Sequence, residues 1–507
     1  AELTAGTDRV AGLRDRLERG LLAIPGARLH GDPEARVAGI SNIGFEGASG
    51  QLVAIGLDLE GICVSTGAAC TSGSLEPSPV LRALGLPPGR ALEGIRFSLG
   101  RATTEAEIDL VLARLPPIVA RVRGAAAAAA AGEVATARPG PRARPTSRPR
   151  IAVAMSGGVD SSTAAALLVE AGADVVGVTL KLYDASGTTA SIGGRCCGPR
   201  DIEDARVTAA ALGIPHYVIN ETEAFRRAVI DDFVGEHRAG RTPNPCVRCN
   251  ERLKFGPLIG FAEAIGADAL ATGHYARLVS DGPASSAPRL MRALDRAKDQ
   301  SYFLFGVRPQ LFDKVMFPLG EKTKDEVRAI ARRAGLANAD KPDSQQICFI
   351  PEGDHRAFVE ARGGAGQPGQ IVDEAGAPLA AHAGTHHFTV GQRRGVPADQ
   401  GARRFVVRID AGSGQVVVGP RSSLARSVLR ISDVRWLRAG APERWPLRCS
   451  VQIRHRGAAT PAWIAAPPSE AGAALTVALD APADGVSPGQ AAVFYDGEAV
   501  LGGGWID

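Results

Sequence analysis

No apolar run in this chain is long enough to cross a bilayer, and none has the layout of a secretory signal. The seven alanines Ala125–Ala131 are too short and too weakly apolar to span. Net charge is also small: 58 basic residues against 54 acidic ones leave only +4. Bulk charge therefore gives little reason to expect a nucleic acid, although basic residues gathered on one face need no large total. Residues 1–150 contain no lysine at all, and the first in the chain is Lys181. The Gly-x-x-x-x-Gly-Lys-Ser/Thr loop of the common nucleotide-binding fold is missing, and there is no internal repeat.

What is present describes a globular protein. The 507 residues are 45% hydrophobic and 22% charged, too long for one ordinary core, so roughly three or more domains are expected. Eight cysteines occur: Cys63, Cys70, Cys196, Cys197, Cys246, Cys249, Cys348 and Cys449. A chain of this size needs no disulfide staples. Without a signal peptide, thiols at special spacings suit catalysis or metal binding in the cytoplasm.

Two shifts of composition divide the chain. Residues 124–149 are an alanine run followed by a Pro/Arg-rich stretch, expected to be a linker. Its arginines could touch RNA, but a solvated spacer requires nothing more than this composition. Residues 1–123 read as mixed α/β, ending in a helix near Glu105 to Arg121. After the linker, strands at Ile151–Met155, Val175–Leu180, His216–Ile219 and Ala269–Thr272 alternate with helices at about 161–171 and 201–212. Such alternation predicts a parallel sheet covered by helices over 150–363. From about Gly364 short strands and turns take over, predicting one or two small β-barrels, divided here into 364–427 and 428–507.

Between the first of these strands and its helix lies Ser156-Gly157-Gly158-Val159-Asp160-Ser161. The two glycines let the backbone approach a phosphate, and the helix N-terminus offers unpaired N–H groups. Asp160 repels an anion unless it holds Mg²⁺ against a pyrophosphate. The loop resembles the SGGxDS loop of the ATP-pyrophosphatase family, which cleaves ATP between the α and β phosphates. Two further segments hold thiols: Cys246 and Cys249 in TPNPCVRCN, a turn stiffened by Pro243 and Pro245, and Cys348 in DSQQICFI.

Together with ATGHYARL, KDQSYFL, FPLG, GQRRG, SPGQAAVFYDG and VLGGG, these segments resemble the tRNA-specific 2-thiouridylase family over about residues 150–507. The resemblance implies an ATP-pyrophosphatase domain (adenine nucleotide alpha hydrolase-like), a small central domain and a C-terminal β-barrel. It implies ATP-dependent formation of 2-thiouridine at the wobble position of glutamate, glutamine and lysine tRNAs. ATP would adenylate uracil O2, Cys348 would carry a persulfide, and Cys249 would be the second catalytic thiol.

Carried over by position, ATP contacts fall at Ala154, Met155, Ser156, Gly157, Gly158, Val159, Asp160 and Ser161, and at Leu180 and Gly273. Asn244, Pro245 and Cys246 should lie by the target base. His274, Lys298, Asp299, Gln300, Arg454, His455 and Gln490 should contact tRNA. Many relatives have Asp where Cys246 stands, Met at Leu180 and Tyr at His455. Cys246, Cys249 and Cys348 could then hold an iron–sulfur cluster with one open iron. Cys196-Cys197 varies a one-cysteine loop and is given no role.

The front segment resembles something else. STGAACTSGSLEPS, IRFSLGR and TTEAEID are similar to the C-terminal part of cysteine desulfurases, which use pyridoxal phosphate. There the residue matching Cys70 carries the persulfide and that matching Arg96 binds the substrate carboxylate. Pyridoxal phosphate needs a Schiff-base lysine, and residues 1–150 have none, so the cofactor would belong to a part not present here. Because residue 1 is Ala, the chain is read as a fragment of a desulfurase–thiouridylase fusion; a remnant taking sulfur from another subunit is the alternative. Expected partners are tRNA and a persulfide donor, with no membrane. A different ATP-pyrophosphatase ligase or synthetase is the competing enzyme class, but no glutaminase constellation supplies its ammonia. A non-catalytic sulfur-relay or tRNA-binding protein is the third reading.

Overall fold

The computed structural model describes all residues except 1, 67–76, 131–147, 184–197, 281–287, 344–346, 351–352, 399–402, 438–441, 443 and 467–472. In the front segment, β1 (Ala27–Leu29), β2 (Ile40–Phe45) and β3 (Gly94–Ser98) form an antiparallel sheet in that order. Helices Glu2–Leu22, Gly50–Asp58 and Glu105–Ala130 share its core through Leu17, Ile43, Phe45, Val53, Leu57, Ile95 and Leu115. The last helix starts at a capping box. Thr104 Oγ1 accepts from the Glu107 N–H (3.3 Å), while the Glu107 carboxylate accepts from the Thr104 N–H (2.7 Å).

That helix corrects one expectation. It does not stop near Arg121 but continues to Ala130, through the alanine run assigned to the linker. Alanine is the strongest helix former, and extending an existing helix needs no new nucleus. Ala125 is also buried in the front core. The rest of the expected linker, apart from Arg148 and Pro149, lies outside the described residues.

The front segment packs against the parallel-sheet unit that begins at Arg150. Ala264, from helix Phe255–Ala264, is wholly buried within the front core. Ile55 enters the neighbouring core in return. Gln51 Nε2 donates to the Val218 carbonyl (3.1 Å), and Tyr217 Oη donates to Asp58 (2.5 Å).

This unit is built on a five-stranded parallel sheet. Its strands are β4 (Arg150–Ala154), β5 (Asp174–Lys181), β6 (His216–Asn220) and β7 (Ala269–Thr272), with β10 (Val315–Met316) at one edge. The order β10-β7-β4-β5-β6 puts β4 in the middle. Ile151, Ala152 and Val153 are all buried, as an apolar run in a strand covered on both faces requires. Between β7 and β10, β8 (Ala276–Val279) and β9 (Arg289–Arg292) form a hairpin that leaves this sheet.

A smaller sheet comes next in the chain, of β11 (Gly369–Asp373), β12 (Pro378–His382), β13 (Phe405–Asp410) and β14 (Gln415–Gly419), ordered β12-β11-β14-β13. The last unit contains β15 (Ala425–Trp436), β16 (Leu447–Gln452), β17 (Thr460–Ile464), β18 (Leu475–Asp484), β19 (Ala491–Asp496) and β20 (Ala499–Ile506). These run β15-β18-β17-β16-β19-β20, and pairing of β15 with β20 closes a six-stranded barrel. The Gly502-Gly503-Gly504 run lies at this seam. A Cβ on Gly502 would collide with the Arg435 carbonyl, and one on Gly504 would lie 2.5 Å from that of Ser432. The β8–β9 hairpin extends the barrel sheet through Met291 and Ala499, joining the barrel to the parallel-sheet unit.

The Ala264 contact yields a test. Ala264→Asn would strand an amide in the shared core at a cost of about 2–7 kcal/mol. Thermal unfolding should show a lower midpoint, and limited proteolysis faster release of the front segment; unchanged values would contradict the docking.

Candidate functional site

The turn after β4 sits at the centre of the parallel sheet, where strand ends and a helix N-terminus converge. Gly157 has φ +70°, and a side chain there would strike the Asp201 carbonyl. Ser161 Oγ accepts from the Ser156 N–H (3.0 Å) and donates to the Gly158 carbonyl (3.2 Å), so it holds the turn's shape. Gly273, at the end of β7, lies so close to this helix that a Cβ would be 2.6 Å from the Ser161 nitrogen.

Asp160 is surrounded by donors. Its Oδ1 accepts from Tyr275 Oη (2.8 Å) and Lys324 Nζ (2.7 Å). Lys324 also pairs with Asp343 (2.7 Å), which in turn pairs with Lys298 (2.6 Å). The two ammonium groups hold the Asp343 carboxyl below its usual range against the opposing effect of burial. On the other side of the turn, Asn338 Nδ2 and Lys341 Nζ each donate to the Gly157 carbonyl (3.2 Å). Lys341 is itself held by Asp201 (2.7 Å) and Asp204 (2.6 Å).

One cavity of about 560 Å³ runs from this turn to the thiols. Ala154, Met155, Ser156, Gly158, Asp160 and Leu180 line one part of it, and Cys246, Cys249 and Cys348 line another. Helix Pro245–Cys249 presents the first two. Asn244 caps it by accepting from the Val247 N–H (3.3 Å), and Pro245 starts it. Cys246 is exposed, Cys249 buried and Cys348 partly buried. Phe349, next to Cys348, anchors its segment edge-on against Phe225 (5.7 Å) and Phe233 (5.3 Å).

Comparison with known proteins matches this chain to a family. Residues 149–352 fit the tRNA methyl transferase HUP domain, 356–420 its PRC-barrel domain, and 426–506 the aminomethyltransferase beta-barrel domain. The tRNA-specific 2-thiouridylase MnmA of Rhodospirillum centenum is 49% identical over 368 residues, 70% of this chain and 91% of its own. That of Geobacter metallireducens is 48% identical over 364 residues, covering 71% and 97%. The chain belongs to the tRNA-specific 2-thiouridylase family. Residues 2–111 fit the aminotransferase class-V model, in line with the desulfurase resemblance of the front segment. A solved NifS-like protein is 27% identical over 24% of this chain and 29% of its own, with a TM-score of 0.21.

Within this thiouridylase, the residues expected at the site separate into two groups. Val159, Ser161, Gly273, Pro245, His274, Lys298, Gln300 and His455 line the cavity with those already named. Gln300 Oε1 accepts from the Tyr275 N–H (2.9 Å), and His455 packs against Phe303 (ring centres 4.3 Å apart). Four expected tRNA- or base-contacting residues lie off it. Asn244 is the helix cap. Asp299 is buried, paired with Arg292 (2.9 Å) and accepting from the Ala293 and Ser301 N–H groups. Arg454 donates to the Asp484 (2.5 Å) and Gly485 (2.6 Å) carbonyls of the barrel. Gln490 Nε2 donates to the Thr242 carbonyl (2.9 Å), so it ties the barrel to the turn that leads into Cys246.

Arg96 lies in β3, away from the cavity, exchanging backbone hydrogen bonds with Ser65. Cys70, Cys196 and Cys197 lie outside the described residues. Lys324, Lys341, Asn338, Asp343 and Tyr275 escaped the sequence reading. One signal did exist for Lys324. It occupies the first turn of a helix capped by Thr323 and Glu326, where the helix dipole disfavours a cation.

His274 supplies a test. Its Nδ1 lies 2.7 Å from Thr272 Oγ1, and its ring sits between Phe255 and Phe317. Burial, reinforced by Lys254, pushes its pKa down to about 3. The unfolded chain protonates the same group near about 6.5, so its contribution is complete above that pH and lost as pH falls toward the folded value. Thermal unfolding of His274→Asn should lose less stability than the parent between about pH 7 and pH 5. Identical losses would contradict the lowered pKa of the folded imidazole.

Proposed function

We propose that this protein is an ATP-dependent tRNA-uridine 2-sulfurtransferase, and that the cavity shared by the glycine turn and three cysteines carries both half-reactions. The turn and the helix behind it bind the nucleotide phosphates, and Asp160 would hold Mg²⁺ beside them, which would neutralise charge on the departing pyrophosphate. Uracil O2 attacks the α-phosphorus, pyrophosphate leaves, and a poor leaving oxygen becomes part of AMP. The persulfide on Cys348 then attacks C2 with its terminal sulfur, and AMP departs with O2. The Cys249 thiolate attacks the Cys348 sulfur, breaking the S–S bond to leave 2-thiouridine and a Cys249–Cys348 disulfide, which an external thiol reductant resets.

Preorganisation supports this reading. Lys298 and Lys324 flank Asp343 beside the turn, where charge collects as pyrophosphate leaves. Next to the cavity, Arg296 and Arg456 border a second opening that shares Ala297, His455 and Arg456 with it. Arginines so placed suit the phosphates of a bound tRNA. In this reading Arg454 and Gln490 act as positioning residues, holding the barrel and the Cys246 turn, rather than as direct tRNA contacts.

The front segment, in this proposal, relays sulfur at most. Cys70 would pass a persulfide toward Cys348, a transfer favoured by attachment within one chain. Pyridoxal phosphate has no lysine available in residues 1–150. A second route for the thiols is favoured by Cys246 lining the same cavity: Cys246, Cys249 and Cys348 would offer an iron–sulfur cluster three ligands and leave one iron open. Nucleoside mass spectrometry of tRNA incubated with ATP, a persulfide donor and a reductant tests the assignment. The intact protein should form 2-thiouridine and Cys348→Ala none; equal thiolation by the variant would overturn the role of Cys348.

A further inference from the structure

Only two of the nine histidines, His274 and His455, line the nucleotide cavity. Five others gather where helices Asp231–Arg238 and His355–Gly363 meet the smaller sheet unit: His237, His355, His382, His386 and His387. His237 and His355 stack with ring centres 5.3 Å apart, and His386 and His387 meet edge to face at 4.3 Å. Nothing in the proposed thiolation uses this cluster.

We propose that Glu360, His386 and His387 bind one divalent transition-metal ion of the zinc class, clamping the helix that follows Cys348 to the smaller sheet unit. Among the described residues, these form the one group of three candidate ligands whose donor atoms all lie within 4.8 Å of each other. The Nε2 atoms of His386 and His387 lie 3.2 Å and 2.7 Å from the same oxygen, Glu360 Oε1. Ligands on one tetrahedral zinc, each roughly 2.0–2.1 Å from the metal, stand about 3.3 Å apart, so small movements suffice. Two imidazoles and a carboxylate suit zinc and its neighbours rather than magnesium or calcium.

The ligands also differ in a way that suits a metal site. His386 is almost wholly buried, with 3% of its side chain exposed, and it lies between two glycines. A Cβ on Gly366 would fall 2.5 Å from its Cε1, and one on Gly384 would collide with the same atom, so the ring is fixed from both sides. His387 and Glu360 are more open, at 23% and 42%, which gives an ion an entry path and leaves its fourth position to water. Binding replaces two Nε2–H···O bonds by two N–metal bonds, and the ring proton of each neutral imidazole moves to Nδ1.

The location gives the site a consequence. Glu360 is on helix His355–Gly363, whose Phe358 packs against Phe349 (5.2 Å), the neighbour of Cys348. The histidines belong to the turn Thr385–His387 in the smaller unit. A metal bridge would therefore stiffen the backing of the Cys348 segment without touching the reacting atoms.

Titration of the full chain with Co²⁺ tests the site. Cobalt on imidazole and carboxylate gives visible d–d absorption without the near-ultraviolet thiolate band that binding at cysteines produces. The intact protein should take up one such ion per chain and unfold at a higher temperature with it. Glu360→Gln and His387→Ala should each weaken uptake at least about tenfold with unchanged circular dichroism, while His382→Ala retains it. No uptake by the intact protein, uptake showing only the thiolate band, or equal uptake by both ligand variants would overturn the proposal.

Discussion

The carbonyl of Gly157 accepts from Asn338 and from Lys341, at 3.2 Å in each case. A few residues away, Lys324 bridges Asp160 and Asp343 at 2.7 Å to each. Gly157 has φ +70°, and beyond the local Ser161 contacts these distant donors tie its turn to the rest of the unit. The segment that supplies Asn338, Lys341 and Asp343 runs on to Cys348. In the proposed function, phosphate binding and thiol placement thus depend on one stretch of chain. In the proposed reaction this links the step that makes AMP a leaving group to the group that displaces it.

The burial of these ion pairs explains how the arrangement persists. Lys341 is partly enclosed yet meets two carboxylates, Asp201 and Asp204, and the paired charges raise its pKa against the effect of burial. Removing one partner would leave the other uncompensated, which is the costly case for enclosed charge. The barrel contributes in the same indirect way. Gln490 reaches across to the Thr242 carbonyl, and the Cys246 helix begins three residues later at Pro245. The front segment is joined to the parallel-sheet unit through Ala264 and Ile55, each of which enters the other's core.

Much of this was legible in the sequence where the physics is local. The β4 strand, the glycine turn and the helix behind it are fixed by neighbouring residues, and the structure has them within two residues of the sequence reading. The Cys246–Cys249 segment stood out by its prolines and spacing, and the Cys348 segment through the family resemblance. Lys341 and Asn338 did not, because their partners lie about 180 positions away in sequence, as the Gly157 contacts show. Carry-over by position does not reveal what holds a side chain: carbonyl acceptors hold Arg454, and Arg292 and backbone N–H groups hold Asp299. The alanine run was grouped with the Pro/Arg stretch beside it, although alanine alone favours continuing the helix.

In the proposed reaction one cavity carries two separable steps, adenylation at the glycine turn and sulfur delivery from Cys348. The most direct measurement uses Cys348→Ser with tRNA and ATP labelled at the α-phosphate. Pyrophosphate should be released and label should accumulate on the tRNA as trapped AMP, since nothing displaces it. No label on the tRNA, with pyrophosphate release abolished, would contradict this by making adenylation depend on the sulfur-carrying thiol.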